Sequence, residues 1–260
     1  MSGRSTWLIA KSVVIEAIRR REIYAIVMVS LLLIGAVMTL DFFQLEGLNK
    51  FYREVALKVM GVATALTVVV LSARQLPREF EKRTIYPLLA KPVSRLTFLA
   101  GKFLGVMLSA LFCFALFMVV YVLGTLYMGG SVPWMLFLQH VYLQMIMLMV
   151  LAGLGFWLSM TLNFDAAVTI GVLFYATASL VASFTSYLYD YMSAAGQWML
   201  KTMVIVIPQL SLFDLTGKAV HGESWDPLAL ATLLQLTVYG AVFAFLYFSC
   251  AALCFQRRAL

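Results

Sequence analysis

The chain has 260 residues, 63% of them hydrophobic, with a mean hydropathy of +0.95 and only 12% charged. A water-soluble domain carries about 45–50% apolar and about 25% charged residues. A soluble globular protein is therefore excluded, and an all-α polytopic membrane protein is expected. The net charge of +7 marks topology, not a nucleic-acid footprint, because the basic residues cluster beside apolar spans. Alternating segments of about ten residues, which an outer-membrane barrel needs, do not occur. Three cysteines in such a chain do not suggest a disulfide framework. The first apolar run is long and follows an arginine cluster, so no cleavable leader is expected.

In chain order, residues 5–22 read as an amphipathic helix. Trp7, Leu8, Val14, Ile15 and Ile18 share one side, and Ser12, Glu16, Arg19 and Arg20 the other. Such a helix lies along the membrane surface with its basic end at the headgroups; a plain extension of the first span is the alternative. The first span is expected at 23–40, about 27 Å long at ~1.5 Å per residue. Residues 41–54 read as a polar loop, and 55–72 as the second span. Lys58 near its end has Glu54 one turn away, an i,i+4 pair that softens its cost. Spans three to six are expected at 103–127, 135–162, 166–188 and 228–255, with tight turns at 128–133 and 163–165. All six form one transmembrane domain over 1–260.

Orientation follows from lysine and arginine placement. With the N-terminus inside, the cytoplasmic segments hold Arg4, Lys11, Arg19, Arg20 and Arg21, the seven basic residues of 74–102, and Arg257 and Arg258. The outer segments hold Lys50, Arg53, Lys58, Lys201 and Lys218. Both termini are therefore expected in the cytoplasm. Residues 197–215 are fairly apolar but are interrupted by Lys201, Pro208, Gln209 and Asp214. Pro208 breaks a helix there. A short re-entrant or surface-lying helical segment on the outer side is expected; a seventh span is the rival reading.

Little chemistry is present. No phosphate-binding loop occurs, since Gly217-Lys218 and Gly101-Lys102 lack the upstream glycine and the following Ser or Thr. His140 and His221 stand alone, where a metal site needs several converging ligands. Cys250 and Cys254 share a helix face without a third ligand. No metal and no catalytic residue is expected. Ion-coupled carriers keep acids or histidines deep in their helices, and the expected spans hold almost none. Energy for transport would have to come from a partner.

The densest charge lies in 74–102, with seven basic residues and two glutamates. Leu76, Phe80, Thr84 and Leu88 are spaced by four as a less polar stripe among Arg78, Glu79, Glu81, Lys82 and Arg83. Pro87 and Pro92 disfavour helix at the residues before them. Ser94 can cap the helix that leads into the third span. The expectation is a short helix, a break and a restart across the membrane face. A charged connector is the plain alternative.

The runs Arg78-Glu79-Phe80-Glu81-Lys82-Arg83-Thr84, Leu88-Leu89-Ala90-Lys91-Pro92-Val93-Ser94-Arg95 and Gly101-Lys102-Phe103-Leu104-Gly105 resemble the permease subunits of type-two ABC exporters. Residues 207–213 are similar to the outer segment which that family carries between its last two spans. Pro87 departs from the family pattern. The resemblance implies two permease subunits, as two copies or two related chains, with two separate ATPase subunits. ATP and Mg would be held by the ATPases, with no cofactor on this chain. It also implies a coupling helix contacting the ATPase through Arg78, Glu79, Phe80, Glu81, Lys82, Arg83, Thr84, Leu88, Lys91, Pro92, Ser94 and Arg95. A pathway between permeases would be lined by spans two and five, where Thr64, Thr67, Thr169, Thr177, Ser179 and Ser183 are the candidate polar positions. Small hydroxyls serve helix packing equally well. The expected function is the permease of an exporter in a bacterial-type plasma membrane. A non-transporting assembly subunit and a membrane-embedded enzyme are the alternatives.

Overall fold

Apolar segments this long leave the backbone no water to bond with, so each must satisfy its polar groups internally as a helix. The computed structural model describes residues 2–39, 47–81, 94–188, 191–221 and 225–257. Its helices are α1 (Ser2–Ile18), α2 (Arg21–Thr39), α3 (Leu48–Glu81), α4 (Arg95–Tyr127), α5 (Trp134–Thr161), α6 (Phe164–Leu188), α7 (Ala194–Val206), α8 (Thr216–Val220) and α9 (Leu230–Arg257), with a 3-10 turn at Leu210–Phe213. Among the described residues there is no strand. α3, α4, α5 and α9 are each long and apolar enough to cross a membrane, and α1 with α2 would make a fifth crossing if that pair, bent by 58°, is one span. The described apolar stretch of α6 is Phe164–Ala178.

α3 and α5 form the centre: 67% and 72% of their most apolar stretches are buried, against 39% for α4 and 33% for α9. They run parallel in one register. Gly61 faces Gln144 and Gly155 faces Ser72, a constant offset along both helices. A side chain on Gly155 would collide with the Ser72 hydroxyl, so the glycine is what permits the approach. α9 repeats the pattern on the other side of α5, with Gly153 against Ala244 and Tyr247 and Gly240 against Ile146. Lipid supplies no hydrophobic drive between helices, and small residues let dispersion replace it. α4 and α6 run antiparallel to α3: Tyr52 meets Val120 and Glu79 meets Lys102, while Val69 meets Gly171 and Arg74 meets Phe164.

Three boundaries differ from expectation. The polar loop expected at 41–54 gives way to helix from Leu48, because Tyr52 and Leu57 are wholly buried and Tyr52 donates to Val120 O at 3.0 Å. The second span does not stop at residue 72. Its helix continues through Pro77 to Glu81, with Leu76 buried and Phe80 packed against the core on the same face. Bilayer helices tolerate proline where neighbouring helices make good the lost bond. The third span begins earlier, at Arg95, where Ser94 caps the helix by accepting from Thr97 N at 3.1 Å. Its 33 residues are about 50 Å long.

α1 departs from a helix lying alone on a surface, since Ala10, Val13 and Ala17 are buried and the helix runs along the first half of α4. Gly101 admits Ile9 and Gly105 admits Val13. Trp7, Leu8, Ile15 and Ile18 remain exposed, as do Ser12 and Arg19. A Cβ at residue 105 would stand 2.5 Å from Val13 Cβ and 2.9 Å from Ala10 O. Gly105→Ala should therefore overpack this contact and cost about 1–3 kcal/mol. Gly35→Ala, which meets nothing within 4 Å, should not destabilise. Thermal unfolding in detergent separates the two, and equal midpoints would mean that α1 does not depend on the close approach.

Candidate functional site

The segment 82–93 leaves α3 and enters α4. Of the expected coupling residues, Lys82, Arg83, Thr84, Leu88, Lys91 and Pro92 lie outside the described residues. Arg78 and Glu81 belong to the last turn of α3. Ser94 is the cap of α4. The other three are turned onto the protein itself. Glu79 pairs with Lys102 at 2.7 Å, with side chains 18% and 5% exposed. Phe80, expected to reach outward, meets Phe255 edge-on with ring centroids 6.3 Å apart. Arg95 donates to Phe255 O and Gln256 O at 3.2 and 3.0 Å, two of the carbonyls left without intrahelical partners at the end of α9.

The candidate pathway residues divide. Thr64 and Thr67 are buried in the bundle and donate to their own helix, at Met60 O and Ala63 O. Thr169 and Thr177 are exposed on α6 and donate to Asp165 O and Leu173 O. Ser179 and Ser183 are on α6, with side chains outside the description.

The other end of the bundle holds a polar fastening that the sequence reading missed. Residues 207–220 fold in among α3, α5 and α9, with Leu210 and Phe213 buried. Phe213 touches the Gly240 position, ten residues into α9, or about 15 Å along it. Four contacts hold this segment. Arg53 donates to Val220 O, and also to Ser131 O at 2.7 Å. Lys58 pairs with Asp214 at 2.9 Å, not with Glu54 as its spacing suggested. Leu215 N donates to His140 Nδ1 at 3.2 Å, which places the proton of a neutral imidazole on Nε2. Gln209 N donates to the Tyr239 hydroxyl at 2.9 Å. Nearby, Gln139 clamps the lead into α9 through both Leu228 N and Leu228 O. The legible signal was Asp214-Leu215-Thr216, since aspartate bonds its own backbone two residues on. Asp214 accepts from both Thr216 N and Thr216 Oγ1.

Burial alone would raise the Asp214 carboxyl. The Thr216 hydroxyl and amide and the Lys58 ammonium outweigh it and hold the group below its ordinary value. A depressed carboxyl contributes stability that is complete above its unfolded pKa of about 4 and is lost as pH falls through the lower folded value. Lys58→Met should therefore lower the unfolding midpoint equally at pH 8 and pH 5, with the gap to the unmodified protein closing only below about pH 4. A gap that closes already between pH 8 and pH 6 would mean that another group titrates the fastening.

Among the described residues, no three His, Cys, Asp or Glu side chains converge as metal ligands would. What the geometry offers is mechanical: long apolar helices, one end braced around a charged segment, the other closed by a fastened insertion. No curated protein matches the sequence. Residues 7–260 match the family described as ABC-2 family transporter protein. The chain is thus a multi-pass membrane protein and a transport membrane domain, and it belongs to the ABC-2 transporter family.

Proposed function

We propose that the chain is the permease subunit of an ATP-binding-cassette exporter, driven by a separate ATPase that binds the ATP and Mg. The family match over residues 7–260 carries this reading. In it, six spans cross a bacterial-type plasma membrane, α1 lies where the bundle meets the headgroups, and both termini and residues 82–93 are cytoplasmic. A second permease, identical or related, completes the pathway. Residues 82–93 with the end of α3 receive the ATPase, and residues 207–220 close the outer end as a re-entrant plug. The length of α4 supports this: about 50 Å of helix exceeds a hydrocarbon core of about 30 Å and leaves roughly 20 Å outside it.

The topology has a direct test. Single cysteines in place of Ser131 and Trp225, both exposed at the fastened end, should label with an impermeant maleimide in intact cells. Cysteines replacing Asn163 and Arg257, exposed at the other end, should label only after permeabilisation. Labelling of position 257 from outside would put the C-terminus on the wrong side and end the six-span reading.

The coupling is tested with the ATPase encoded beside this chain, reconstituted with it in liposomes. ATP turnover per ATPase should rise when the permease is present. Copurification without any change in turnover would identify a membrane anchor instead of a transporter.

A further inference from the structure

Lys102 sits about two turns into α4, and Glu79 lies in the last turn of α3. Together they bracket 82–93. A buried ion pair exchanged for apolar residues of similar volume is often neutral or stabilising, whereas removing one partner strands a charge. What the pair supplies, and two leucines would not, is a single register between the flanks.

The register extends further. The Lys102 ammonium lies over the Phe98 ring, 5.7 Å from its centroid. Phe98 meets Phe255 at 6.2 Å, and Phe255 meets Phe80 at 6.3 Å. The Arg95 guanidinium lies 5.9 Å from the Phe255 centroid while bonding the end of α9. Contacts thus run from α3 to α4 to α9 and back to α3. Phe255 is 1% exposed, so the aromatic contacts of the circuit centre on a residue inside the protein. α9 then runs in fixed register along α5 to Gly240, where it touches Phe213 of the fastened insertion.

We propose that Lys102 is a positioning residue: through Glu79 it makes the flanks of 82–93 and the end of α9 one rigid collar, which delivers displacement of that segment to α9 and the opposite end of the bundle. This rests on the permease reading above for its purpose, but the collar itself is a property of this chain alone. A push on 82–93 would otherwise dissipate as bending of α3 beyond Pro77, where the helix lacks one backbone bond.

Two measurements test it in the full chain, with Cys113, Cys250 and Cys254 replaced by serine. The first uses the permease without partner. Phe80→Cys with Phe255→Cys should cross-link rapidly through a short bis-thiosulfonate reagent. Adding Lys102→Met, or Glu79→Leu with Lys102→Leu, should slow that cross-link at least about tenfold. The apolar double variant leaves no stranded charge, so it folds if the pair is only compensation. The second measurement adds the ATPase. The cross-linked collar should keep stimulation within about twofold, because it moves as a body. The Glu79→Leu/Lys102→Leu variant should copurify with the ATPase yet lose most of the stimulation. Glu79→Lys with Lys102→Glu should recover part of both readouts. Unchanged cross-linking and stimulation in the apolar double variant would overturn the proposal, as would loss of stimulation on cross-linking. If cross-linking behaves as expected but the unmodified permease never stimulates the ATPase, the collar stands and the permease reading fails.

Discussion

The close parallel approach of α3 and α5 is the constraint on which the rest depends. In a bilayer the lipid tails are as apolar as the side chains, so helices gain little by exchanging lipid for each other unless they fit tightly. Gly155 provides that fit by receiving Ser72, while Gly61 faces Gln144 at ordinary contact distance further along the same seam. Once α3 is fixed against α5, its remaining faces are available to α2, α4 and α6. Gly124 then lets Tyr52 dock against α4, and Gly171 lets Val69 dock against α6. A single helix thus organises four neighbours, and its two ends carry the two polar arrangements of the molecule.

Those arrangements follow one rule: a cation taken out of water is met by oxygens of the protein. Lys102 is met by Glu79. Arg53 is 5% exposed and is met by the carbonyls of Val220 and Ser131; among the described residues no carboxylate pairs with it. Arginine suits that place because its fork donates in two directions at once. The consequence is that both ends of α3 are specified by directional bonds, while its middle is specified by shape.

The helical class, the bundle of long apolar helices and the break at Pro208 were legible because each rests on local chemistry: unbroken apolar runs, and a proline without a donor. Ser94 was legible for the same reason, since capping is decided within one turn. What was not legible depended on residues far apart in sequence. Lys58 has Glu54 at helical spacing, and only the fold brings Asp214 closer. Arg53 reads as a loop residue until Tyr52 is seen to be buried beside it. The spacing of Phe80 with Leu76 identifies a face without saying what the face meets; Phe255, far along the chain, is what Phe80 packs against. Thr64 and Thr67 were polar candidates by composition, yet each spends its hydroxyl on its own helix.

The unequal helix lengths carry a consequence for the surrounding lipid. α3, α4, α5 and α9 all exceed the length that a hydrocarbon core requires, and their registers are interlocked, so they cannot tilt independently. α2, with 19 residues, is shorter and packs against α3. A change in bilayer thickness therefore leaves the interlocked four in place, merely shifting where the headgroups cross them. Hydrophobic mismatch falls instead on α2, at fractions of a kcal/mol per ångström. The protein is built with an interlocked centre that keeps its shape as membrane thickness changes, and with one outer helix that adapts to it.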